Sequence, residues 1–108
     1  MSAQDNTQRV IIDLNNAAFQ HKLLNLQKHD RHSAMETLKK LHQMTWAQVY
    51  RDNGLKWEKI VNAVPPAGAS ALYSLRITQS CRATAYRDGN FLRFMTIHGD
   101  HDATYGKK

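Results

Sequence analysis

Hydrophobic positions change period twice along this chain. "RVIIDL" (Arg9–Leu14) is a β-branched run with a charged residue near each end, the pattern of a short strand. From Asn16 the spacing turns helical, with Phe19, Leu23 and Leu26 on one face. "HDRH" is expected to interrupt that helix. Ser33 and Glu36 then read as a capping box, in which each side chain satisfies a free backbone donor at a new helix start. Behind it Met35, Leu38, Leu41 and His42 form the expected buried stripe. Thr45 opens a second box with Gln48, starting a short helix through Trp46, Val49 and Tyr50. Its expected stop is a left-handed residue at Asn53 or Gly54.

"LKWEKIVNAV" reads equally as a helical turn or a strand, and "PPAGAS" is a loop. Beyond it the period is two. Tyr73, Leu75 and Ile77 alternate with Ser74, Arg76 and Thr78, and small Cys81, Ala83 and Ala85 alternate with Arg82, Thr84 and Tyr86. Asp88–Gly89 suits a tight hairpin, and "FLRFMTI" returns as the next strand. The predicted fold class is α+β. An N-terminal strand precedes two or three helices, which pack on one face of a small, mainly antiparallel sheet. The small residues of the second strand allow a helix to approach closely. Arg76 and Arg82 then fall on the opposite face, where function is expected.

The 108 residues fit one domain, 1–108, with residues 1–8 and 106–108 read as disordered ends. The polar N-terminus lacks the apolar region of a secretory signal, and a cytoplasmic location is expected. No stretch is apolar enough to span a bilayer, so no membrane partner is expected. The single cysteine, Cys81, excludes an internal disulfide framework and the cysteine-rich zinc patterns. Fifteen Lys plus Arg against nine Asp plus Glu give a net charge of +6, which favours a polyanionic partner such as nucleic acid.

The order of elements, with "LYSLRI", "CRATAYRDGNFLRF" and a closing tyrosine, resembles the RelE/ParE superfamily of small bacterial toxins. Arg76, Arg82, Tyr86, the Asp88–Gly89 turn, His98, His101 and Tyr105 stand at the places of the family pattern. The resemblance implies a RelE-like fold, a cognate antitoxin protein as partner, and one of two activities. One branch cleaves mRNA on the ribosome without a metal, and the other inhibits DNA gyrase and lacks the catalytic set. A small basic interaction protein is the third reading. This chain departs from the endonucleases in having Gly99, Asp100 and Asp102 where they often carry a basic residue.

Metal-free RNA cleavage needs a base for the 2′-hydroxyl, cations for the charged phosphorane and an acid for the leaving 5′ oxygen. Histidine titrates in the right range and arginine grips phosphate through two donors. The expected roles are therefore Arg82 on the transition-state phosphate, Arg76 positioning it, and His101 transferring protons. Tyr105 assists His101 or stacks a base. Lys56, Lys59 and His98 extend the RNA contact and Trp57 stacks a base, although packing against the core is the commoner fate of a tryptophan. Asp100 and Asp102 either raise the basicity of His101 or pair with the arginines. A metal held by His98, Asp100, His101 and Asp102 is disfavoured, because an extended strand turns His101 away from the other three. No cofactor is expected.

Overall fold

The structure, a computed structural model, describes residues 5–66 and 68–99. Its elements are β1 (Ile11–Asp13), α1 (Ala17–Leu24), α2 (Lys28–His42), α3 (Trp46–Arg51), β2 (Glu58–Lys59), β3 (Tyr73–Arg76), β4 (Arg82–Asp88) and β5 (Phe91–His98). The strands form one sheet in the order β1-β5-β4-β3-β2, antiparallel except for the β1–β5 pair. This is the α+β arrangement that the change of period predicts.

The alternation in β4 positions the layers. Cys81, Ala83 and Ala85 are fully buried, as are Leu75 and Leu92 on the flanking strands. Side chains this small leave room for bulky residues from the helices. Phe19 of α1 meets Phe94 of β5 at 5.0 Å between ring centroids. Leu38 and Leu41 of α2 and Trp46 and Val49 of α3 complete the core. The hairpin between β4 and β5 turns on Gly89 and Asn90, with Asp88 opposite Phe91. Gly89 has φ +62, a conformation that glycine adopts without steric cost.

Helix α1 starts as its sequence suggests: Asn16 accepts a hydrogen bond from the Phe19 backbone N–H at 2.9 Å. The capping box at Thr45 also forms, with both reciprocal bonds present. The box at Ser33 does not. Helix α2 runs unbroken through "HDRH" from an N-cap at Gln27, and Ser33 lies inside it. Its buried stripe is Asp30, Ala34, Leu38 and Leu41, whereas Met35 and His42 are exposed. The stripe begins one turn earlier than a start at Ser33 allows, because Asp30 lies on the buried face of the first turn, where the helix dipole favours a negative charge. Helix α3 ends at Asp52 in extended backbone, not at a left-handed Asn53 or Gly54. The Asp52 carboxylate accepts from the Leu55 N–H at 2.9 Å and from Lys40 Nζ, which closes the turn through a side chain.

Arg87 is a buried cation on the helix side of β4. Its guanidinium lies 4.3 Å from the Trp46 ring centroid and donates to the Gly89 carbonyl, Asn6 Oδ1, the Tyr50 hydroxyl and the Asp5 carbonyl. The backbone N–H groups of Trp46 and Ala47 donate to the carbonyls of Gln8 and Asn6. Residues 5–8, expected as part of a disordered lead-in, are thus fastened to the body of the fold. Burying a cation this way is tolerable because four acceptors and an aromatic face replace water. Arg87→Ala leaves those acceptors unsatisfied and is expected to cost about 2–4 kcal/mol, read as a lower urea midpoint. Arg87→Lys should recover only part of this, since an ammonium cannot reproduce the planar fork.

Candidate functional site

The face of the sheet opposite the helices carries the outward residues of β3, β4 and β5, and strand register decides which of them meet. Arg76 pairs with Arg82 across β3–β4, and Arg82 pairs with His98 across β4–β5. The three form one row at one end of the sheet. The neighbouring row of Leu75, Ala83 and Ile97 points into the core and is at most 1% exposed, which assigns the first row to the outer face. Directly opposed residues have their Cβ atoms about 5 Å apart, and like charges so placed repel. No carboxylate among the described residues forms an ion pair with Arg76 or Arg82. Arg76 Nε is buried without a hydrogen-bond partner. An anion set across the row would answer both the repulsion and the unsatisfied donor.

Toward the middle of the same face, the Thr84 and Thr96 hydroxyls lie 2.7 Å apart. The ladder then slips, so that Ala85 faces Phe94 rather than Met95. Such a bulge sharpens the local twist of the sheet and is common beside functional sites. At the far end Tyr86 pairs with Arg93 and Arg93 with Asp13. Arg93 differs from the arginines of the row. Its guanidinium is ion-paired with both Asp13 and Asp88, and these bonds raise its affinity for the proton. The unneutralised arginines therefore gather at the His98 end.

The other expected site residues are placed as follows. Trp57 stacks on Tyr73 with centroids 4.5 Å apart, meets Trp46 edge-on at 5.7 Å and packs against the core. Lys59 pairs with Tyr73 on the edge strand β2, so register gives it the helix side of the sheet. Lys56, with φ 49, follows Leu55, whose carbonyl accepts from the Arg76 N–H at 2.7 Å; this places Lys56 beside the Arg76 end of the row. His101 and Tyr105, with Asp100 and Asp102, lie outside the described residues. Among the described residues, no group of three His, Cys, Asp or Glu side chains is placed to hold a metal ion.

Cys81, next to Arg82, is no nucleophile. Burial, helped by the nearby charge of Asp30, pushes its thiol up to about 12. Asp30 is the feature that sequence reading missed. Its signal was present, since Asp30, Ala34, Leu38 and Leu41 follow helical spacing, but an aspartate is not ordinarily counted in an apolar stripe.

Two measurements check these electrostatics. Cys81 should resist thiol reagents in the native protein and react at once when urea unfolds it. Asp13 has its carboxyl held below the ordinary range by the Asn15 N–H and by Arg93. A lowered native value gives stability that is complete above the unfolded value, about pH 3.9, and is lost as pH falls through the native one. The urea midpoint of the parent should therefore fall more steeply below about pH 4 than that of Asp13→Asn.

No protein-family model and no curated protein sequence matches this chain. A solved structure does: the chain is similar to one in the crystal structure of the archaeal RelE–RelB complex from Pyrococcus horikoshii OT3. The TM-score is 0.57 at 15% identity, and the match covers 88% of this chain and 97% of that one. Near-complete coverage on both sides means that the correspondence takes in the whole architecture, helices and sheet together. The chain has the RelE fold.

Proposed function

We propose that the protein is a RelE-type toxin that cuts mRNA on the ribosome, and that the Arg76–Arg82–His98 row holds the phosphate at the cut. The reading is carried by that row: two arginines with no acidic partner among the described residues adjoin a histidine on the outer face of a RelE-fold sheet. Guanidinium groups on neighbouring strands can each give two donors to phosphate oxygens, and their mutual repulsion falls when a phosphate binds. Arg82, at the centre, stabilises the negative charge of the phosphorane. Arg76 positions the phosphate, and its unpartnered Nε is available for this.

The reaction in this reading is a transesterification. A base removes the 2′-hydroxyl proton, the oxygen attacks the adjacent phosphorus, and the 5′ oxygen departs with a proton from an acid. The products are a 2′,3′-cyclic phosphate and a 5′-hydroxyl, and no metal is required. His101 is assigned the proton transfers and Tyr105 assists it or stacks a base, on the resemblance stated above. His98 contacts the RNA at the end of the row. Lys56 lies close enough along the chain to extend the phosphate contact, while Lys59 and Trp57 would reach RNA only around the β2 edge. The net charge of +6 supports attraction to RNA, and a cytoplasmic location fits this substrate. A protein antitoxin is the expected partner, by analogy with the RelE–RelB complex.

Translation in a cell extract tests the proposal. Added protein should halt synthesis and leave cuts in ribosome-bound message. Arg82→Ala should slow cutting by about 10²–10³-fold, the effect of removing one donor to a transition-state oxyanion, with the fold retained by circular dichroism. Intact messages together with inhibited gyrase supercoiling would instead select the non-catalytic branch of the fold.

A further inference from the structure

At the same end of the sheet, on the helix side, lies a cavity of about 320 Å³ where α1, α2 and the end of β5 meet. His21, Leu26, Asp30, Ile97 and Gly99 are among its walls. Asp30 is 6% exposed, and no hydrogen-bond or ion-pair partner reaches its carboxylate among the described residues. A buried carboxylate needs donors, and here they must come from whatever enters the cavity. Gly99 directly follows His98, the last member of the row. A Cβ at Gly99 would come within 2.9 Å of Asp30 Oδ2, so the absence of a side chain lets the strand end pass over the carboxylate. Leu26 and Ile97 supply apolar walls. The cavity thus combines two outward-facing acceptors with a hydrophobic slot, one residue beyond the phosphate-binding row.

We propose that this cavity reads a guanine base adjacent to the phosphate held by the row. The proposal rests on the RNA reading above and adds a substrate preference to it. Guanine offers N1–H and N2–H side by side on its Watson–Crick edge, which match the two oxygens of a carboxylate. Adenine and cytosine set one donor beside an acceptor, and uracil flanks its single donor with acceptors, so each would turn a lone pair toward Asp30. Leu26 and Ile97 cover the faces of the ring. Selectivity arises because the wrong bases leave a buried charge unsatisfied.

The full chain is titrated with guanosine 5′-monophosphate and, separately, with adenosine 5′-monophosphate, while the backbone amide resonances of Leu26 and Gly99 are followed. Guanosine monophosphate should bind at least about fivefold more tightly, the lower end of what a bidentate base contact discriminates, and should shift both resonances. Asp30→Asn presents an amide donor toward guanine and should erase the preference. Gly99→Ala, whose Cβ crowds the carboxylate, should weaken it if Asp30→Asn fails to fold. Equal affinity for the two nucleotides in the parent, or shifts that spare Leu26 and Gly99, would overturn the pocket. Cleavage plays no part in this readout. A parent that never cuts RNA yet prefers the guanine nucleotide leaves the pocket standing, and one that cuts without that preference overturns the pocket alone.

Discussion

The two-residue alternation of β4, locked in register with β3 and β5, is the constraint on which the remaining structure depends. Its inward residues are small, so helices can lie close against the sheet and seal the core. Its outward residues are then fixed on the far face. Pairing register, not sequence proximity, makes neighbours of Arg76, Arg82 and His98. A slip of one residue in either pairing would turn an arginine into the core and an alanine toward solvent. The cost of burying that charge protects the register, and the register in turn builds the row.

The three arginines of the outer face, and the fourth on the inner one, show how environment divides identical side chains. Arg87 is consumed by structure, held between Trp46 and the N-terminal segment. Arg93 is neutralised by Asp13 and Asp88 and fastens β1 to β5. Arg76 and Arg82 have no such carboxylate among the described residues, and they stand side by side. On stability grounds alone that arrangement is poor, which makes it informative about function.

Much of this was legible in the sequence, and the exceptions have physical causes. The three-strand meander could be read because its alternation is regular and Asp88–Gly89 marks the turn. The start of α3 could be read because Thr45 and Gln48 form their box. Helix α2 was misread at its start because Ser33 and Glu36 imitate a cap, while the residue that marks its buried face, Asp30, is charged. Arg76 and Arg82 could be placed on one face from period alone, but their exact pairing with His98 depends on a cross-strand register that a single sequence does not disclose. Trp57 was weighed between stacking a base and packing against the core, and its engagement with Tyr73 depends on the edge strand where the reading was ambiguous.

The central claim is that Arg82 and His98 engage one phosphate. A double-mutant cycle on the affinity for an uncleavable, 2′-deoxy-substituted RNA oligonucleotide addresses it most directly, using Arg82→Ala, His98→Ala and the pair. Sharing a phosphate requires the two losses to be non-additive, with a coupling of at least about 0.5 kcal/mol. Losses that simply add, or unchanged affinity in both single variants, would contradict the claim.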